Sequence, residues 1–106
     1  MAHQRSSCDS WGAGVDLMVF DEAVNQGVGR AITSLQACVG VAVDGRFGPA
    51  TRAAVAAAHP PTLIDAIAVN RDAHYRALPG FARYGAGWLA RVARTQRDAL
   101  AMAGAG

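Results

Sequence analysis

The chain has 106 residues, which is enough for one small domain with its own core but not for two. Hydrophobic residues make up 52% and charged residues 17%, a balance that excludes a disordered chain and indicates a folded, alanine-rich helical protein. Residues 71–106 contain six Arg and two Asp, a net charge of +4, whereas residues 1–70 contain four Arg and six acidic residues, a net charge of −2. The basic C-terminal third fits contact with an anionic polymer or an ordinary solvated helix face.

Residues 1–13 are polar and show no periodicity, so we predict a flexible lead-in before a helical domain over residues 14–102. The lead-in lacks an apolar segment of signal-peptide length, and no run in the chain reaches the length of a membrane span. Cys8 in the lead-in is interpreted as an incidental exposed thiol and Cys38 as a small buried hydrophobe. A disulfide between the two stays open.

The first predicted helix, Val15–Asn25, contains the continuous apolar run Leu17–Phe20. Such a run predicts a helix that is buried all round. Asp21 and Asn25 follow at i and i+4, so they share one helix face, and Gly27 marks the end of the helix. The first helix therefore presents two polar side chains at one place, which makes it the first candidate site.

The next segments are a second helix and an elbow. The second helix is predicted over Gly29–Val39, with its buried stripe at Ile32, Leu35, Gln36 and Val39 and its stop at Gly40. Val41–Pro49 alternates briefly and turns at Asp44-Gly45, which predicts a short β-like elbow.

The rest of the chain predicts three more helices. They run over Ala50–Ala58, over Leu63–Leu78 after the breaker His59-Pro60-Pro61, and over Trp88–Met102. A glycine-rich aromatic loop is expected at Phe81–Gly87, and residues 103–106 are expected to fray. The predicted fold class is therefore all-α, a single small bundle of about five helices with one β-like elbow.

Three blocks of the sequence resemble glycoside hydrolase family 108, the lysozyme-like N-acetylmuramidases of bacteria and phages. The blocks are FDEAVNQGVGRAITSLQ, VAVDGRFGPATRAAV and YRALPGFARYGAGWLARV, which begin at Phe20, Val41 and Tyr75. They occur in the order and at the spacing of that family's C-terminal part, which includes a predicted peptidoglycan-binding domain. The resemblance runs from about Gly14 to Met102 and implies an endolysin-like, cell-wall function.

The resemblance also defines what this chain lacks. The family's catalytic acid is a Glu in an N-terminal Glu-Gly-Gly-Tyr segment, and that segment does not occur in this sequence, whose single Glu is Glu22. The Asp21-Glu22 pair points to different helix faces, so it does not make the opposed carboxylates of a glycosidase. We therefore expect no catalytic residue and no catalysis by the chain alone.

The resemblance implies a sugar-binding segment around Asn25-x-Gly27, and we name Asp21, Asn25, Gly27, Arg30 and Tyr84 as candidate substrate-binding residues. Two interpretations of Asp21 and Asn25 stay open, a grip on sugar hydroxyls and a purely helix-capping role. Tyr84 is a candidate for stacking on a pyranose ring, whereas Trp88 is interpreted as core. The Asp44–Thr51 elbow, which resembles that of peptidoglycan-binding modules generally, is interpreted mainly as scaffold.

Three functions follow as hypotheses. The leading one is a module that binds peptidoglycan glycan strands, the second is one half of a split muramidase whose partner chain or domain supplies the acid, and the third is a small basic nucleic-acid-binding protein. The third is disfavoured because the Arg residues are spread over several faces. His3, His59 and His74 show no metal-ligand spacing, so neither a metal nor another cofactor is expected. The expected setting is a bacterial or phage-encoded protein that is cytoplasmic until it is released or exported to the cell wall.

Overall fold

The computed structural model describes residues 14–105 and contains five α-helices. They are α1 (Val15–Gln26), α2 (Val28–Val39), α3 (Pro49–Ala57), α4 (Pro60–Arg76) and α5 (Phe81–Ala105). The all-α prediction is confirmed, and the predicted elbow forms over residues 40–48 as turns, bends and irregular backbone, with no strand among residues 14–105. The predicted lead-in and Cys8 lie outside the described residues.

The core lies between the helices α1, α2, α4 and α5, and α4 and α5 pack along much of their lengths. Its fully buried side chains include Met18 on α1, Leu35 on α2, Ile64 and Ile67 on α4 and Val92 on α5. Gly14, where the described chain begins, is pressed so closely against α5 that a Cβ there would lie 2.1 Å from the carbonyl oxygen of Ala99. Burial of this apolar surface supplies most of the free energy that holds the bundle together.

The run Leu17–Phe20 is only partly buried, which corrects the prediction of a helix buried all round. Met18 and Val19 face the core, whereas the Phe20 side chain is 67% exposed. Only one face of α1 packs against the other helices. The helix therefore has a buried face and an exposed face, although Leu17–Phe20 is continuously apolar in sequence.

Two of the predicted breaks are helical in the structure. Pro60 opens α4, because a proline in the first turn loses no intrahelical hydrogen bond. The segment Phe81–Gly87, predicted as a loop, is the start of α5, and the Phe81 ring lies over Gly85, where a Cβ would meet it at 2.5 Å. Residues 103–105, predicted to fray, continue α5. Tertiary packing thus offsets the low helix propensity of glycine, which costs about 1 kcal/mol per residue relative to alanine.

The elbow between α2 and α3 is held by one buried side chain, Gln36. Its Nε2 donates to Asp44 Oδ1 at 2.9 Å, to the carbonyl oxygen of Arg46 at 2.9 Å and to Thr51 Oγ1 at 3.0 Å. Its Oε1 accepts from the backbone N–H groups of Asp44 at 3.1 Å and Gly45 at 3.0 Å. The elbow therefore depends on a polar hub within the fold, as its interpretation as scaffold requires. Phe47, within the elbow, is half-buried against the core, with the Arg52 guanidinium carbon 5.1 Å from the centroid of its ring.

Candidate functional site

A cleft of about 320 Å³ lies where the C-terminal ends of α1 and α4 meet the first half of α5. Its lining combines polar, aromatic and charged side chains: Asn25, Gln26, His74, Tyr75, Leu78, Gly87, Trp88 and Arg91. A cleft with a few convergent polar groups on an aromatic and aliphatic wall is the usual form of a small-ligand site. This cleft is the candidate functional site.

A larger hollow of about 440 Å³ lies between α2, α3 and α4, but it has a different character. Four of its nine lining residues are alanine, and the rest are Cys38, Val39, His59, Thr62 and Leu63. Burial raises the pKa of the half-buried Cys38 to about 11, so the thiol is protonated and acts as a small apolar group. This hollow lacks the convergent polar groups of the cleft and is not the preferred site.

A shared carboxylate lies behind Arg91. Asp21 Oδ1 accepts a hydrogen bond of 2.9 Å from Arg91 Nη2, and Asp21 Oδ2 lies 3.0 Å from Arg71 Nη1. The second contact is an ion pair without hydrogen-bond alignment. Burial acts to raise the pKa of Asp21, but the Arg91 and Arg71 groups outweigh it, so the pKa lies below its usual 3.8 and the carboxylate is ionised at neutral pH.

Arg71 joins this carboxylate to the wall of the cleft. Its side chain is 0% exposed, and its Nε donates to Gln26 Oε1 at 3.3 Å. Because arginine only donates hydrogen bonds, this contact fixes the oxygen of the Gln26 amide toward Arg71. Asn25, the neighbour of Gln26, donates from Nδ2 to the Asp21 carbonyl oxygen at 2.7 Å, which leaves its Oδ1 as the atom it can offer to a ligand.

Two stacked aromatic rings line the cleft, and a third lies beside them. Tyr75 is buried, and its ring centroid lies 5.1 Å from that of the half-buried Trp88 at an interplanar angle of 25°. Tyr84, which is 52% exposed, is tilted against Trp88, with a centroid distance of 6.0 Å and an angle of 32°. Trp88 therefore serves two purposes, since it packs against the core and also lines the cleft.

Glu22 belongs to a neighbouring polar cluster rather than to the cleft. Its side chain is 1% exposed, and its Oε2 lies 3.9 Å from Arg30 Nε. Burial raises the pKa of Glu22 to about 7 despite the nearby Arg71 and Arg30 charges. Asn70 Oδ1 completes the cluster by accepting from Arg30 Nη2 at 3.1 Å and from Ser34 Oγ at 2.6 Å.

The structure separates the five candidate residues that the sequence suggested. Asn25 lines the cleft, Asp21 lies behind it under Arg91, and Tyr84 stands beside it against Trp88. Gly27 is the exposed link between α1 and α2, with φ of 98°, and Arg30 points toward Asn70 and Glu22. Only Asn25 of the five is part of the cleft lining.

Sequence reasoning missed the residues that accompany Asn25. Helical periodicity alone gives Arg91, Arg71 and His74 no role in a site. One signal in the sequence points to this cluster: Arg71 falls within the apolar stripe of Leu63, Ile64 and Ile67, and a charged residue in such a stripe requires a buried partner. Asp21, which directly follows the apolar run Leu17–Phe20, is the matching signal on α1.

Residues 14–105 include no group of three or more His, Cys, Asp or Glu side chains placed to hold a metal ion. Within the same part of the chain, no helix has both the length and the apolar character needed to cross a membrane.

Comparison with known proteins finds a matching sequence family and several solved structures of similar fold. Residues 30–93 match the sequence model of a family described as a predicted peptidoglycan domain. Among solved structures, the fold is similar to the structure of SagA from Brucella abortus, with a TM-score of 0.86 and 38% sequence identity. The match covers 90% of this chain and 55% of that one, so the chain spans little more than half the length of SagA. No curated protein matches the sequence.

Proposed function

The chain belongs to the predicted peptidoglycan domain family, and from this premise we propose that it binds the glycan strands of peptidoglycan in the cleft between α1, α4 and α5. The observation that carries the assignment to this cleft is the meeting of Asn25, Trp88 and Arg91 in its lining. An amide, an aromatic ring and a guanidinium are the groups with which proteins hold sugar hydroxyls, pyranose rings and acidic substituents.

The size of the cleft supports a small part of the polymer as the direct ligand. At about 320 Å³ it lies at the lower end of the range for ligand pockets. One sugar with its substituent fits this range better than a long stretch of strand. A single cleft of this size supports weak binding, which the repeated units of a polymer strengthen when several modules or domains act together.

The elbow is a weaker candidate for the ligand site than the cleft. Gln36, Asp44 and Thr51 match the pattern of peptidoglycan-binding modules, but Gln36 is hydrogen-bonded to both of the others. These residues thus hold α2 and α3 together.

As a finer proposal, the chain corresponds to the C-terminal part of a glycoside hydrolase family 108 muramidase and works with a separate catalytic domain or chain in an endolysin of a bacterium or phage. Two observations support this: the three matching sequence blocks, and the share of 55% that the chain covers in SagA. In this arrangement the cleft holds the strand and the partner supplies the acid.

Co-sedimentation with purified sacculi tests the proposed function. We expect the wild-type chain to pellet with sacculi, the Asn25→Ala/Arg91→Gln variant to remain in the supernatant, and the Arg94→Gln variant to pellet as wild type does. Arg94 is an exposed residue on the same helix, so it controls for the loss of a positive charge.

A salt series separates specific from non-specific binding, because free surface charges are screened over about 8 Å at physiological ionic strength. We expect the Asn25-dependent part of the binding to persist at that salt concentration. Three results together would overturn the proposal: binding is lost at that salt concentration, the cleft variant binds as the wild type does, and DNA is bound equally well.

A further inference from the structure

We propose that the cleft recognises a carboxylate, so that its ligand within peptidoglycan is an acidic muramyl sugar or peptide stem rather than the neutral N-acetylglucosamine. The inference rests on the proposed function and specifies which chemical group of the polymer occupies the cleft. It depends on an unequal distribution of charge around Arg91.

The Asp21 carboxylate is shared between two arginines. One carboxylate faces two guanidinium groups, with Oδ1 at 2.9 Å from Arg91 and Oδ2 at 3.0 Å from Arg71. Among the described residues, no other carboxylate forms an ion pair with Arg71 or Arg91, and Asp72 and Glu22 act on Arg71 only at longer range. The direct contacts therefore set one negative charge against two positive ones. A buried excess of charge is unfavourable unless solvent or an anion compensates it.

The exposure of the two arginine side chains decides which of them a ligand can contact. The Arg71 side chain is 0% exposed and sealed behind the wall, whereas the Arg91 side chain is 44% exposed and lines the cleft. A ligand can therefore reach only the Arg91 guanidinium. Asp21 holds one edge of that guanidinium, which orients the group and leaves its other N–H donors for a ligand.

The other groups that face the cleft do not compensate the charge of Arg91. Among the residues that line it, none is acidic, and its remaining polar members are Asn25, Gln26, His74, Tyr75 and Trp88. Outside the cleft, Glu22 is 1% exposed and its Oε2 lies 3.9 Å from Arg30 Nε. Burial raises the pKa of Glu22 to about 7, so near neutral pH a large fraction of it is uncharged and offsets little of the positive charge.

Arginine suits this task because its planar guanidinium forms bidentate contacts with carboxylates. Asn25, in the same wall, supplies the amide that a neighbouring sugar hydroxyl or N-acetyl group requires. The cleft thus combines one charge-selective group with neutral contacts. A neutral sugar of equal size leaves the excess charge of Arg91 uncompensated, whereas a carboxylate satisfies it.

The experiment compares ligands that differ in one group. The wild-type chain is titrated by calorimetry with the disaccharide N-acetylglucosaminyl-N-acetylmuramic acid, with the same disaccharide amidated at its lactyl carboxylate, and with the neutral dimer of N-acetylglucosamine. A free peptide stem forms a separate arm that distinguishes its carboxylates from the lactyl one. We expect the acidic disaccharide or the stem to bind about tenfold more tightly than the amidated disaccharide and the neutral dimer.

Two variants assign that preference to Arg91. Arg91→Gln should lower affinity for the acidic ligand to that for the amidated one, whereas Arg94→Gln should retain the full preference. Thermal melting of both variants verifies that they fold. Because the ligand comparison uses the wild-type protein, the inference stays testable even if Arg91→Gln is unstable.

The outcomes separate the inference from the proposed function. Equal binding of the acidic and amidated disaccharides without tighter binding of the stem, or a preference that survives Arg91→Gln, would overturn the carboxylate inference and leave peptidoglycan binding intact. Failure of the wild-type chain to bind both sacculi and every fragment would overturn the proposed function and the inference with it.

Discussion

Arg71 on α4 and Asp21 on α1 form an ion pair of 3.0 Å in which the arginine side chain is completely buried. The same carboxylate accepts a hydrogen bond from Arg91 on α5. Three helices are therefore tied at one point directly behind the cleft. This arrangement couples the stability of the bundle to the geometry of the candidate site.

Replacement of Arg71 should be far more damaging than replacement of Arg91. We expect Arg71→Met to lower the free energy of unfolding by about 3 kcal/mol, because it leaves Asp21 and Gln26 without a buried partner. Arg91→Gln, which removes a half-exposed partner from the same carboxylate, should cost about 1 kcal/mol or less. Urea unfolding followed by circular dichroism measures both, and equal losses would contradict the central role of Arg71.

The elbow should fail when Gln36 loses its amide. We expect Gln36→Leu, which keeps the volume nearly unchanged, to destabilise the chain by about 2 kcal/mol, because the buried Thr51 hydroxyl and the partly buried groups of Asp44 and Gly45 lose their partner. Gln96→Leu is the matched control, since Gln96 makes one exposed hydrogen bond to Asp65. If Gln36→Leu melts at the wild-type temperature, the hub does not hold the elbow.

Glu22 should make the stability depend on pH. Its pKa is raised from 4.5 to about 7 by burial, so between these pH values the folded chain binds more protons at this site than the unfolded chain. The contribution of Glu22 to the free energy of unfolding therefore falls as pH rises through this window, by about 3 kcal/mol at most. We expect Glu22→Gln to be more stable than wild type at pH 8, with the difference disappearing near pH 4.5.

Other groups titrate in or near this window and must be separated from Glu22. Burial lowers the pKa of His74, so the contribution of His74 to the free energy of unfolding rises with pH, opposite to that of Glu22. Burial raises the pKa of Asp72. Both are present in wild type and in Glu22→Gln, so the difference between the two proteins at each pH isolates Glu22. Asp98→Asn, at an exposed position, should leave the curve unchanged. Parallel curves for wild type and Glu22→Gln would show that Glu22 does not titrate in this range.

The chain by itself should not hydrolyse peptidoglycan. Its only Glu is 1% exposed and cannot reach a glycosidic oxygen, and Asp21 is held ionised by two arginines and cannot act as a proton donor at neutral pH. Turbidity of a sacculus suspension and release of reducing ends should therefore stay at the level of buffer. Clearing that is lost in Glu22→Gln would identify Glu22 as an acid and contradict this prediction.

Features that depend on neighbours along the chain follow from the sequence alone. Periodicity predicted five helices, although the last begins at Phe81 rather than Trp88, and Gly40 marked the end of the second. The hydrogen bonds of the elbow agree with its interpretation as scaffold, and their partners lie within 15 residues of one another. Turn chemistry and helical stripes are local, so a single sequence carries them.

The cleft and the exposure of its residues depend on tertiary packing. Arg91 and Asp21 are 70 residues apart, and nothing local distinguishes Arg91 from Arg94 or Arg97 as the arginine that meets the carboxylate. The same holds for Phe20, which is exposed within an apolar run, and for Phe81–Gly87, which is helical despite its glycines. Each outcome depends on which helix faces come together, and that is set by packing summed over the whole core rather than by the residues beside each position.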